Sequence, residues 1–221
     1  MNKACILKQN DRAWPFLLGL ALTLVKLRVD FLVRCTMSPT DPRFAGIARL
    51  YGVQGLQRLQ HAHVAVVGVG GVGSWAAEAL VRSGVGEISL FDLDDVCISN
   101  TNRQSHALQG TAGQPKVSVL GERLRAISPD CVVHEVMDFV TRVTLAEYIT
   151  PELDFVVDCI DSVPAKSALI AWCKRRKIGI VTTGGAGGQI DPTQIQITDI
   201  NKTFNDPLAA KVRSVLRRDY G

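Results

Sequence analysis

His63-Val64-Ala65-Val66-Val67-Gly68-Val69-Gly70-Gly71-Val72-Gly73 is an apolar, β-branched run closed by four glycines. The run reads as a buried strand, and the residues after it, Val72–Ser83, have helical spacing. Between them the glycines allow a tight turn and a close approach of backbone to a ligand. The helix start then offers unpaired N–H groups and the positive end of a dipole to an anion. Asp92 ends the next apolar run, Glu87–Phe91, 19 residues beyond Gly73. A carboxylate at that distance suits the hydroxyls of a ribose. The loop is therefore read as a nucleotide site, against a strand–helix turn that holds no ligand.

The pattern repeats outward from this unit. Lys116–Ile127 reads as a helix with Pro115 at its start, Cys131–Val136 as a strand and Thr144–Thr150 as a short helix. Phe155–Cys159, Ala165–Lys177 and Ile178–Thr182 read as strand, helix and strand. Arg43–Gln60 precedes them as a helix; Gln194–Asp199 and Pro207–Arg218 follow as strand and helix. Such alternation predicts an α/β fold, a Rossmann-like, doubly wound and mostly parallel sheet, with its ligand at the carboxyl edge of the strands.

The chain has 221 residues, 47% hydrophobic and 21% charged, which excludes a disordered or fibrous protein. Its formal charge of +4 is not a property of the whole chain. Residues 1–36 hold Lys3, Lys8, Arg12, Lys26, Arg28 and Arg34 against Asp11 and Asp30, and residues 37–221 balance. Residues 14–25, WPFLLGLALTLV, are too few to span a bilayer, which takes about 20 residues. Residues 1–36 are read as an extension outside the fold; a membrane-associated helix and a signal peptide are the alternatives. The domain is placed at 37–221. The six cysteines form no C-x-x-C pair, so a cysteine-rich zinc site has no support, and a reduced, cytoplasmic setting is expected. Cys131 and Cys159 are read as small buried hydrophobes within strands.

The residues after Asp92 argue against hydride transfer. Asp92-Leu93-Asp94-Asp95-Val96 leads into Asn100-Thr101-Asn102-Arg103-Gln104 and then Gly113-Gln114-Pro115-Lys116. A site that transfers an adenylyl group needs an arginine and a lysine, because charge develops on the phosphates. Asp158-Cys159-Ile160-Asp161-Ser162 ends another strand at the carboxyl edge. There Asp161 can hold Mg²⁺ against the phosphates or cap the following helix, and Asp158 is structural or catalytic. Two basic clusters, Lys174-Arg175-Arg176-Lys177 and Lys211, Arg213, Arg217 and Arg218, read either as solvated helix ends or as contacts to RNA phosphates.

In this order the motifs resemble the ubiquitin-activating-enzyme-like superfamily of adenylating enzymes. Arg43-Phe44 through Gly52, Thr182 through Thr193 (TTGGAGGQIDPT) and Asp206-Pro207-Leu208 resemble, within it, the tRNA threonylcarbamoyladenosine dehydratases. The resemblance covers residues 43–221 and implies roles. Gly68, Gly70, Gly71 and Gly73 would form the ATP loop, with Asp92 on the ribose and Asp94 beside it. Asn100, Arg103 and Lys116 would meet the phosphates, Arg103 and Lys116 as catalytic groups. Asp161, with Ser162 next to it, would hold Mg²⁺. Arg49, with Arg43 as rival, would reach into a partner subunit's ATP site in a homodimer. The implied substrate is a tRNA bearing threonylcarbamoyladenosine beside its anticodon. Its carboxylate would become an acyl adenylate, then close into a ring with loss of AMP. The same superfamily activates the C-terminal carboxylate of ubiquitin-like sulfur carriers, which is the alternative substrate class, and a sulfur-transfer or desulfurase partner comes with it. Those sulfur-carrier activators usually bear paired C-x-x-C zinc ligands; none occur here, which favours the tRNA branch. Dehydratases of this kind usually continue past Gly221, so this chain is read as truncated at its C-terminus.

Overall fold

The computed structural model describes the backbone of Cys5–Asn10 and all of residues 41–221. The apolar run 14–25, Cys35 and the turn after Met37 lie outside the described residues. Among the described residues seven strands form one sheet in the order β4-β3-β2-β5-β6-β1-β7. These are β1 Cys5–Asn10, β2 His63–Val67, β3 Glu87–Phe91, β4 Val132–Val136, β5 Phe155–Asp158, β6 Gly179–Thr183 and β7 Gln194–Asp199. Strands β2 to β6 run parallel, as the alternation predicts. One expectation differs from what is observed. Cys5–Asn10, read as outside the fold, pairs parallel with β6 and antiparallel with β7. It satisfies backbone groups of both neighbours, which unpaired would leave open sheet edges.

Among the described residues six helices accompany the strands: α1 Ala45–His61, α2 Gly73–Arg82, α3 Lys116–Ile127, α4 Leu145–Tyr148, α5 Val163–Arg176 and α6 Pro207–Asp219. Helix α1 is not the continuous helix expected over Arg43–Gln60. A 3-10 turn, Pro42–Phe44, precedes it, and Gly52 breaks it with φ 77° and ψ 162°. Only glycine takes such a conformation freely. Cys131 and Cys159 each fall one residue outside the strands predicted to contain them.

Side chains alternate across the sheet and divide the core into two layers. Val64 and Val66 of β2 pack with Leu59 of α1, Leu80 of α2 and Leu120 and Leu124 of α3. Ala65 and Val67 point the other way, toward Leu145 of α4, Leu169 and Ile170 of α5 and Val212 of α6. Both faces of the parallel strands are thus covered, which explains why β2, β3 and β5 are almost wholly buried. Among the described residues no helix is long and apolar enough to cross a membrane.

Candidate nucleotide site

Strand β2 ends at Val67, and Gly68 turns the chain with φ 85°. The loop has little room for side chains. A Cβ on Gly73 would collide with the Gly68 carbonyl, and one on Gly71 would come within 3.1 Å of Arg103 Cγ. Gly70 is open, its nearest neighbour there being Gln104 Nε2 at 3.8 Å. The Val69 amide donates to Asp92 Oδ2 at 2.8 Å. The amides of Gly70, Gly71, Val72 and Gly73 find no acceptor among the described residues. Four free N–H groups at the start of a ten-residue helix make an anion site by geometry and by dipole.

The neighbouring strands each end in a buried aspartate that folds the turn after it. Asp92, at the end of β3, accepts from the Asp94 amide at 3.0 Å as well as from Val69. Its carboxylate therefore ties the end of β3 to the glycine loop, and each oxygen keeps a lone pair for a further donor. Lys116, buried at the start of α3, sits 2.7 Å from Asp94 Oδ2 and 3.9 Å from Asp92 Oδ1. The Asp94 side chain is 58% exposed, so this lysine faces a group that solvent or a phosphate can displace.

Strand β5, on the other side of β2, ends in Asp158, which accepts from the Ile160 amide at 3.0 Å. Lys166 reaches back from α5 to Asp158 Oδ2 at 2.8 Å and Thr182 Oγ1 at 2.9 Å. Thr182 also donates to the same Asp158 oxygen. Asp158 and Lys166 are 0% and 1% exposed. Asp158 is therefore structural, sealed from any ligand. Lys166 is a site-shaping residue that the sequence does not single out. A lysine one turn into a helix ordinarily reads as surface, and its partners come from two other strands.

The other expected residues divide into those brought to the loop and those held elsewhere. Arg103 lies across Gly71, held by the Trp75 indole, which donates to its carbonyl at 2.8 Å. Its guanidinium donates to Ser99 O and Asn102 Oδ1. Asn100 is buried, and its carbonyl oxygen is spent on the Cys97 amide at 3.1 Å. Asp161 and Ser162 are exposed between β5 and α5. Ser162 is the N-cap of α5, without a side-chain cap bond, so the helix is not capped by Asp161. Asp161 has no hydrogen-bond or ion-pair partner among the described residues. An unspent carboxylate beside an anion loop fits a divalent cation shared with phosphates. Arg49 is exposed on α1. Its rival Arg43 is engaged in ion pairs with Asp41 at 2.7 Å and Asp130 at 2.6 Å, near the start of β4 and away from the loop.

Further groups complete the surroundings. His106 is 0% exposed with both ring nitrogens unpartnered among the described residues, and burial pushes it down to about 4. Burial pushes the Cys159 thiol up to about 12, so it is no nucleophile at neutral pH. Cys97 is exposed, and the hydrogen bond from the Ser99 hydroxyl lowers its pKa.

The first basic cluster, at the end of α5, lies at the other end of the sheet, and the second runs along α6 from Lys211 to Arg218. Helices α5 and α6 pack together; Asp206, which caps α6, touches Gly185 after β6, while Tyr220 at its far end meets Arg175. Arg213 is spent on Ile200 O and Thr203, Arg217 on Asn201 and Arg218 on Asp219.

Known proteins share this fold. A tRNA threonylcarbamoyladenosine dehydratase of Escherichia coli is 59% identical over 179 residues, covering 81% of this chain and 67% of that protein. The crystal structure of an E. coli tRNA N6-threonylcarbamoyladenosine dehydratase in complex with ATP superposes with a TM-score of 0.81 at 57% identity, over 84% of this chain and 77% of that one. A molybdopterin-synthase adenylyltransferase of E. coli is 36% identical over 107 residues, 48% of this chain and 43% of that protein. The sequence profile of the ThiF family matches residues 44–216, and with the strand, glycine loop and helix in place the chain belongs to the ThiF family.

Proposed function

We propose that this chain is an ATP-dependent dehydratase of threonylcarbamoyladenosine beside the tRNA anticodon, activating the threonyl carboxylate by adenylation. The observation that carries the reading is the loop of four free amides flanked by Asp92 and the displaceable Lys116–Asp94 pair. The 59% identity to a dehydratase selects the substrate class. ATP is a substrate here. Asp92 takes its ribose, the amides of Gly70 to Gly73 its phosphates, and Lys116 and Arg103 the charge that grows as pyrophosphate leaves. The substrate carboxylate attacks the α-phosphorus, and its adenylate is then displaced from within the same nucleoside. One carboxylate oxygen leaves in AMP, which makes the overall change a dehydration. Mg²⁺ on Asp161 would neutralise phosphate charge. A homodimer, with Arg49 crossing to the second site, and a cytoplasmic setting belong to the same proposal.

The test is incubation with ATP, Mg²⁺ and tRNA bearing threonylcarbamoyladenosine, followed by mass spectrometry of the nucleosides. Loss of one water from the modified nucleoside is expected. ATP–pyrophosphate exchange driven by a small protein ending in Gly-Gly, with the nucleoside unchanged, would overturn the reading in favour of sulfur-carrier activation.

A further inference from the structure

We propose that His63, Glu87 and His134 form a binding site for a divalent transition-metal ion of the Zn²⁺ type, at the amino edge of the sheet. The parallel register builds it. His63 on β2 is paired with Glu87 on β3, and Glu87 with Val132 on β4. His134 stands two residues beyond Val132, so all three side chains leave the same face of three adjacent strands. One donor atom from each lies within 4.8 Å of the others. Glu87 Oε1 is 2.8 Å from His134 Nε2 and 3.5 Å from His63 Nδ1. Donors bound at about 2.0–2.2 Å to one ion stand roughly 3.0–3.6 Å apart in tetrahedral or octahedral geometry. Bringing these three into one coordination sphere therefore takes shifts of well under a side-chain rotamer change.

The surroundings prepare the ligands. His63 Nε2 is 2.8 Å from Ser89 Oγ, which fixes the ring and leaves Nδ1 facing Glu87, as an outer-shell partner does for a metal-bound imidazole. Asp154, whose carboxylate accepts from the His63 amide at 2.9 Å, and Glu152 add negative charge nearby. Two imidazoles and one carboxylate suit Zn²⁺, Ni²⁺ or Co²⁺ better than Mg²⁺ or Ca²⁺. The sites cannot be confused. Strand β2 alone, at about 3.3 Å per residue, separates His63 from Gly68 by roughly 16 Å. The ion would clamp three strands and take no part in nucleotide chemistry.

The experiment titrates Co²⁺ and Zn²⁺ into the metal-free protein, following Co²⁺ by its visible absorption and Zn²⁺ by calorimetry. One equivalent is expected, with the Co²⁺ spectrum of nitrogen and oxygen ligands and no thiolate charge-transfer band. His134→Ala and Glu87→Gln should each weaken binding at least tenfold, and His61→Ala, an exposed histidine outside the cluster, should not. The replaced side chains are partly exposed, and circular dichroism of each variant checks that it folds. Should His134→Ala lose structure, His134→Gln takes its place. Equal binding by wild type and His134→Ala, a thiolate band, or no binding at all, which leaves a histidine–glutamate hydrogen-bonded triad only, would each overturn the proposal.

Discussion

Replacing Lys166 with methionine isolates the charge that holds the second loop. Methionine keeps most of the aliphatic stem, so the change removes chiefly the ammonium. Three hydrogen bonds go with it: to Asp158 Oδ2 at 2.8 Å, Thr182 Oγ1 at 2.9 Å and the Asp158 carbonyl at 3.4 Å. What remains is a carboxylate with no exposed surface, still accepting from Ile160 and Thr182 but facing no cation. Removing one partner of a buried pair costs about 3–5 kcal/mol, because the survivor's desolvation is no longer offset. Against the roughly 5–15 kcal/mol that holds a domain together, that is a large fraction. At about 2–4 °C per kcal/mol for a chain this long, Lys166→Met should melt roughly 6–20 °C earlier. Adding Asp158→Asn removes the stranded charge while keeping an acceptor for Ile160. The double variant should therefore recover at least about 2 kcal/mol over Lys166→Met, a coupling typical of residues in one network. Urea unfolding followed by circular dichroism measures both, with an unchanged slope as the sign that only stability moved. A loss below about 1 kcal/mol for Lys166→Met, or strict additivity in the double variant, would refute the reasoning.

Gly70→Ala meets open space, so it should leave stability within about 0.5 kcal/mol yet weaken ATP binding at least tenfold. Gly73→Ala, driven into the Gly68 carbonyl, should lose both; calorimetry and melting separate the two variants. His106, held neutral by burial and by Lys116 and Arg123, has a folded pKa near 4 against its ordinary 6.5. Its contribution is complete above pH 6.5 and is lost as pH falls toward 4, at up to about 1.4 kcal/mol per unit and about 3 kcal/mol in all. His106→Gln should flatten that part of the stability curve, and an unchanged acid slope would show that another group sets it. Iodoacetamide should label Cys97 well before Cys131, Cys159 and Cys173, read by peptide mass spectrometry, because it is exposed and its pKa is lowered. If the α5 end binds tRNA, Lys174→Ala with Arg175→Ala should lower the salt slope of binding by roughly 0.7–0.9 for each phosphate left without its cation. ATP affinity should not change, since that end lies across the sheet from the loop.

The glycine loop, the strands His63–Val67, Glu87–Phe91 and Gln194–Asp199 and the helix Lys116–Ile127 are legible in the sequence residue for residue. Each is a local pattern, either an apolar run or a period, bounded by a turn residue. Helix α5 reads two residues short at its start and one long at its end. Lys177 closes it at φ 60°, a left-handed cap that glycine normally signals. Cys5–Asn10 carries no alternation, only Cys-Ile-Leu followed by Lys-Gln-Asn, so nothing local marks it as a strand. Asp92, Lys116 and Asp161 are legible as candidates because they sit in short motifs at strand ends or a helix start. Lys166 and the His63, Glu87 and His134 set are not, because their chemistry exists only where separate strands are brought side by side.

The two aspartates that flank β2 differ in how their lysines are held. Both stand at a strand end, both accept the amide two residues on, and both have a lysine opposite. The difference is where the lysine's charge goes. Lys166 is satisfied by a carboxylate and a threonine that no solvent reaches, so a ligand gains nothing by approaching it. Lys116 spends its shortest bond on Asp94, whose side chain is mostly in water. With only the aspartate in water, the pair is not sealed on both sides, and a phosphate can take the place of the Asp94 carboxylate at the lysine. Asp92 stays in place meanwhile, because its own bonds are to the backbone of Val69 and Asp94 and do not depend on the lysine. Under the proposed function, the arrangement would let phosphate charge enter on one side of the glycine loop without loosening Asp92. The sealed pair on the other side keeps the Asp161 turn in register while that exchange takes place.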